Sequence, residues 1–234
     1  MPRESHQLKT IRTAKIIDAL KKTYPDAHCE LNYSTPLELL VATILSAQCT
    51  DKQVNIVTAG LFKKYRTATD YAHADSATFE SEIKRIGLYR NKAKNIQGCC
   101  RALAQKHGGD VPRTMDELIE LDGVGRKTAN VVLGNAFSLN HGIVVDTHVA
   151  RLSNRLALTL GTSPEKIENA LQKIVPREDW TLFSHLLIWH GRRRCFARNP
   201  DCAHCEALRW CPTGHRLGEF VPTSTPKKKN LPRR

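Results

Sequence analysis

Apolar residues recur at helical spacing along almost the whole chain. In LKTIRTAKIIDALKKT (8–23), Leu8, Ile11, Ile16, Ala19 and Leu20 fall near one face, the mark of an amphipathic helix. Pro36 suits a first helical turn. It opens LELLVATILSAQ, a run to residue 48 that is apolar enough for a helix buried on all sides. Further amphipathic helices are expected over 51–65, 76–86, 91–107 and 114–121, punctuated by Gly87, Gly108-Gly109 and Pro112. Two more, 126–137 and 147–160, flank a loop at Asn140-His141-Gly142, and 164–174 and 179–190 complete the set. Only the short apolar run Ile143–Val145 offers a possible strand. The fold class read from this pattern is all-α. Residues 219–234 (EFVPTSTPKKKNLPRR) are Pro-rich and basic, and a disordered tail is expected there.

Composition supports packed helices and adds a partner. Apolar residues make up 41% of the 234 and charged residues 25%, as in an ordinary globular protein. Aromatics are few, so the core is built mainly from Leu, Ile, Val and Ala. Lys and Arg outnumber Asp and Glu by 36 to 23, a formal charge of +13. Such an excess favours a polyanion. Nucleic acid comes first, because phosphate neutralisation dominates non-specific DNA affinity. An anionic membrane surface comes second, and no run approaches a membrane span. The polar start, MPRESHQLKT, lacks an apolar signal region, so a reducing, cytoplasmic location is expected.

The stretch LIELDGVGRKTANVVL (118–133) carries the most information. A helix ends at Leu121, a Gly-Val-Gly hairpin follows, and a second helix starts near Arg126. Gly123 and Gly125 can take positive φ and allow close backbone approach. The turn exposes backbone N–H groups at a helix start, which bind phosphate oxygens without reading sequence. A tight helix corner would use the same residues. Lys127 lies in the first turn of the new helix. The electropositive helix end, with Arg126 beside it, favours an amine acting as a nucleophile. A simple phosphate contact is the alternative for Lys127. Asp146, in IVVDTHVARL, stands where an N-cap belongs. A carboxylate fixed there could take a proton from a nearby lysine and stabilise positive charge growing on a sugar ring.

Eight cysteines in a chain without a signal region read as thiols or metal ligands more readily than as disulfides. Cys29, Cys49, Cys99 and Cys100 are scattered and read as small buried hydrophobes. Cys195, Cys202, Cys205 and Cys211 form C-x6-C-x2-C-x5-C. Four thiolates suit tetrahedral zinc or an iron–sulfur cluster. Arg192, Arg193 and Arg194 precede them, with Arg198 inside the first loop, so a metal here would hold a basic loop rigid against DNA.

LDGVGRKTANVVL followed by VVDTHVARLSNR, with the four-cysteine spacing, resembles the helix–hairpin–helix DNA glycosylase superfamily, and within it the endonuclease III family. The family's usual Pro is Asp122 here, a change that concerns the turn. The resemblance spans roughly residues 8 to 217 by the spread of these motifs. It implies two helical domains with a DNA cleft between them. Residues 29–140 would form a six-helix domain with the hairpin; 1–28 and 141–218 would form a discontinuous cluster domain. The implied activity is that of a bifunctional glycosylase and AP lyase in base excision repair. It would remove oxidised or ring-saturated pyrimidines from double-stranded DNA, act on abasic sites, and cut 3′ to the site by β-elimination. Lys127 would be the nucleophile, Asp146 the catalytic carboxylate, and the four cysteines the ligands of a structural [4Fe-4S] cluster. Gln48, in LLVATILSAQCTD, matches the glutamine that fills the vacated space; Leu88, in IGLYRNKA, matches an apolar wedge entering from the other side. Ser46 and Asp51 would line the pocket, with Gly123, Gly125, Arg126 and Arg193 toward DNA. A monomer working at the nucleoid is expected. His148 and His190 read as hydrogen-bonded structural histidines.

Overall fold

Short polar side chains start most of the helices. Ser5, Thr35, Thr50, Thr67, Thr114 and Ser163 each accept a backbone N–H at a helix start, as Asp75 and Asp146 also do. Each satisfies one donor that the first turn leaves open. The computed structural model describes residues 4–218. Its helices are α1 (His6–Thr23), α2 (Pro36–Ser46), α3 (Asp51–Lys64), α4 (Ala68–His73), α5 (Ser76–Ile83), α6 (Tyr89–Lys106), α7 (Met115–Ile119), α8 (Arg126–Ala136), α9 (Thr147–Arg155), α10 (Pro164–Leu171), α11 (Trp180–Arg193) and α12 (Pro212–Gly218). No strand forms among the described residues. The all-α fold read from the periodicity is the fold observed.

Differences from the sequence pattern have local causes. Helix α4 is too short to show periodicity, yet Thr67 and Asp70 close a capping box at its start. Helix α9 stops at Arg155 because Ala157 turns left-handed, with φ of 52°. Helix α12, which begins on Pro212, also went unseen in the pattern. The run Ile143–Val145 is not a strand: Ile143 and Val145 join a buried cluster, while Val144 lines a pocket. The basic tail lies outside the described residues.

Apolar side chains gather into two buried clusters. One draws on residues from Leu31 to Leu133, with α2 at its centre; Leu39, Leu40, Ala42 and Leu45 are shielded from solvent. The other joins Ile16, Ile17 and Leu20 of α1 to residues from Ile143 to Ala207. The chain ends therefore meet in one core while the middle builds the other. Arg126 of α8 and Glu168 of α10 pair across the boundary, at 3.0 Å. No helix among the described residues is long and apolar enough to cross a membrane.

Candidate active site

The hairpin is built as a tight turn between α7 and α8. Leu121 and Val124 donate backbone hydrogen bonds to Leu118 and Leu121. Gly123 has φ of 77°, the left-handed value that favours glycine. Gly125 differs from expectation: its φ is −93° and its ψ is 175°, which any residue adopts. A Cβ at Gly125 would meet no protein atom within 4 Å, so nothing inside the chain demands glycine there. Asp122 lies against α6, its carboxylate filling the space a side chain at Gly98 would need. The turn forms with Asp122 in place.

Lys127 and Asp146 open onto one cleft of about 1150 Å³, shared with Ser46, Gln48, Asp51 and Arg192. Each is delivered by the start of a helix. Lys127 stands in the first turn of α8 and is exposed. Asp146 caps α9, and its Oδ1 accepts the Val149 N–H at 2.8 Å. The same bond that starts the helix therefore aims the carboxylate. A smaller cavity of about 120 Å³ continues behind both residues, toward Asn135 and His185.

Asp51 is more central than its sequence position indicated. Its carboxylate accepts a hydrogen bond from Arg192 at 2.8 Å. Burial, and then the Asp146 charge, raise its pKa, while Lys127 and His148 pull the other way. Asp51 and Asp146 thus share the cleft with Lys127, and Glu30 and Lys52 line it as well. Ser46 donates its hydroxyl to the Thr43 carbonyl at 2.8 Å and faces the cleft from the end of α2.

Gln48 and Leu88 share an uncommon backbone. Their φ values are 54° and 58°, both left-handed, where a non-glycine residue is strained. Leu88 is 57% exposed, a large apolar side chain held in solvent. A Cβ at Gly87 would lie 3.9 Å from the Gln48 carbonyl oxygen, so the turn carrying Leu88 stands beside the loop carrying Gln48.

The basic run is less free than a bare count of arginines indicates. Arg192 joins Asp51 and Glu30, Arg193 pairs with Glu30 at 3.1 Å and stacks over Trp189, and Arg194 bridges Asp201 and Glu206. Arg126 likewise spends its fork on Glu168. No pattern in the sequence marked Glu30 or Glu168 as partners, because each is brought in from a distant element. His148 bonds Arg151, and His190 lies between Tyr24 and Cys205. Burial pushes the His190 pKa down to about 4, which keeps its ring neutral.

All four clustered cysteines are free thiols lining one small pocket. N–H donors point at two of the sulfurs, Arg155 at Cys195 (3.2 Å) and Gly214 at Cys211 (3.2 Å), and His190 Nε2 lies 3.4 Å from Cys205 Sγ. Such donors suit thiolate ligands. Burial pushes the Cys205 thiol up to about 12, so a thiolate there needs a cation beside it. Among the described residues, the one set of three ligand atoms all within 4.8 Å of each other is His190, Cys205 and Glu206. Four cysteines on one pocket are a donor set that a metal centre can use. The scattered cysteines match their reading as small hydrophobes: Cys99 and Cys100 are buried, and Cys29 and Cys49 pack at the edge of the first core.

Residues 41–177 match the HhH-GPD superfamily of base excision DNA repair proteins. The chain belongs to that family. It is 52% identical to endonuclease III of Synechocystis sp. over 205 residues, 88% of this chain and 94% of that protein. Against endonuclease III of Bacillus subtilis it is 48% identical over 201 residues, covering 86% and 91%. A solved endonuclease III, trapped as a covalent intermediate with DNA, superposes with a TM-score of 0.84 at 47% identity, covering 89% of this chain and 98% of that one. The chain is accordingly a DNA repair glycosylase of the endonuclease III type.

Proposed function

We propose that this enzyme is a bifunctional glycosylase and AP lyase acting on double-stranded DNA that carries oxidised or ring-saturated pyrimidines or abasic sites. The observation that carries the reading is the meeting of Lys127 and Asp146 in one cleft, with the carboxylate fixed by its capping bond. The lesion nucleotide swings out of the stack into the cleft. Asp146 takes a proton from Lys127, and the freed amine attacks C1′ as the bond from C1′ to the base breaks. The departing base carries away the electron pair of that bond and gains a proton. Opening of the sugar ring leaves an imine between Lys127 and C1′. Loss of a proton from C2′ then expels the 3′ phosphate, and water releases the lysine.

Gln48 and Leu88 fill the gap left by the extruded base. Gly123, Gly125 and the N–H groups at the start of α8 hold phosphate, with Arg126 and Arg193 at the edges of that surface and Ser46 and Asp51 in the pocket. Cys195, Cys202, Cys205 and Cys211 hold a [4Fe-4S] cluster. When bound, the cluster stiffens the loop after α11; the chemistry above needs no electron from it. The domain boundaries fall at 29–140 and at 1–28 with 141–218, following the two cores. The enzyme works as a monomer.

Borohydride trapping on a duplex containing thymine glycol tests the mechanism. A covalent adduct is expected with the native enzyme and none with Lys127→Ala. An adduct of equal yield from the variant would remove Lys127 from its role.

A further inference from the structure

The two residues proposed to fill the gap are strained, and one buried lysine lies between them. A non-glycine residue in the left-handed region is strained. Gln48 and Leu88 both adopt that conformation, so their surroundings must hold them there. The C-terminus of α2 leaves carbonyls open, as every helix end does. Those of Leu45 and Ala47 both accept from Lys92 Nζ, at 2.9 and 2.5 Å. Lys92 is in the first turn of α6, and its backbone N–H donates to the Leu88 carbonyl at 3.1 Å. One residue therefore grips the loop that carries Gln48 with its side chain and the turn that carries Leu88 with its backbone.

Lys92 is 4% exposed, and among the described residues no carboxylate pairs with it. Burying an ammonium is costly, and burial lowers its pKa accordingly. A methionine would fill similar space without that cost. The charge does match the negative end of α2, and its two bonds fix the loop where an apolar side chain would let it slide.

We infer that Lys92 is a positioning residue for base extrusion, setting the separation and orientation of Gln48 and Leu88 so that both enter the duplex together. The inference rests on the duplex-opening roles given to those two residues above. Lys92 itself is buried, so it would act through Gln48 and Leu88.

The test compares the cluster-containing native enzyme with Q48A, L88A, K92M, K92Q and the double variant Q48A/K92M. Three quantities are read: single-turnover excision of thymine glycol, borohydride trapping at a preformed abasic site, and fluorescence of 2-aminopurine placed beside the lesion. K92M is expected to slow excision roughly tenfold while trapping changes less than about twofold, because an abasic site has no base to unstack. K92Q, with one amide for two carbonyls, falls between. The fluorescence rise shrinks in parallel with excision. The double variant is no slower than its slower parent, since the two residues act as a unit.

Equal loss of excision and trapping in K92M would make Lys92 a stability residue only and overturn the inference. So would native excision by K92M when Q48A and L88A are slow. Native rates in Q48A and L88A would instead overturn the duplex-opening reading, and the inference with it. If K92M does not fold, K92Q carries the same comparison.

Discussion

Arg126, the residue before the hairpin lysine, donates two hydrogen bonds to the carboxylate of Glu168, at 3.0 and 3.1 Å. Glu168 is almost fully buried and also receives the Asn130 amide at 3.2 Å. A residue that looks in sequence like a second free cation beside Lys127 is thus also a strap between the two cores. Removing one partner of a buried pair leaves the other charge unpaired, which costs several kcal/mol at most. Arg126 is half exposed, so Arg126→Met is expected to destabilise by about 1–2 kcal/mol, the lower part of the range for unsatisfied buried polar groups. Urea unfolding would show this. A change within experimental error would mean that the pair contributes nothing.

Asp146 has two duties that substitution can separate. Asparagine is also a good N-cap, so Asp146→Asn should leave stability almost unchanged, whereas Asp146→Ala should cost about 1 kcal/mol. Both should lose most excision, because the proposed mechanism uses the carboxylate's charge. Thermal melting and single-turnover rates measured on both variants decide it. Full-rate strand cutting by Asp146→Asn would take Asp146 out of the chemistry.

Leu88 stores strain that a glycine would release. Leu88→Gly is expected to hold or raise stability by up to about 1 kcal/mol, because glycine accepts positive φ freely. Excision should fall, since the side chain proposed to enter the duplex is gone. A stabilised, slower enzyme is the signature of strain kept for function. Loss of stability in this variant would show that Leu88 packs more than its 57% exposure indicates.

His185 gives the fold a dependence on pH. Burial, and then His28, push its pKa down to about 4 from 6.5. The unfolded chain therefore binds more protons than the native one as pH falls below 6.5, and stability drains away between 6.5 and about 4. For this shift the loss is on the order of 3 kcal/mol. In Leu or Gln variants of His185, the melting temperature should fall less steeply over that window. An identical slope would assign the pH dependence to other groups.

The sequence by itself determined most of the helices, the class of fold and the short motifs that mark the candidate site. The hairpin, its lysine, the capping aspartate and the four cysteines each lie within short stretches, where spacing and helix-end rules apply. Helix α4 was not read from the sequence, because six residues are too few for periodicity; its only local mark is the Thr67–Asp70 capping box. Only the tertiary structure decided which charges are free. Glu30 reaches Arg192 and Arg193 from well over a hundred residues away, and Glu168 reaches Arg126 from a different core. It also decided the backbone of Gln48 and Leu88, whose left-handed turns are imposed by surroundings that no local preference favours. Lys92 shows the reason most plainly. Its bonds to Leu45 and Ala47 depend on the packing of α6 against α2, and a lysine in an amphipathic helix carries no mark of the carbonyls it will meet.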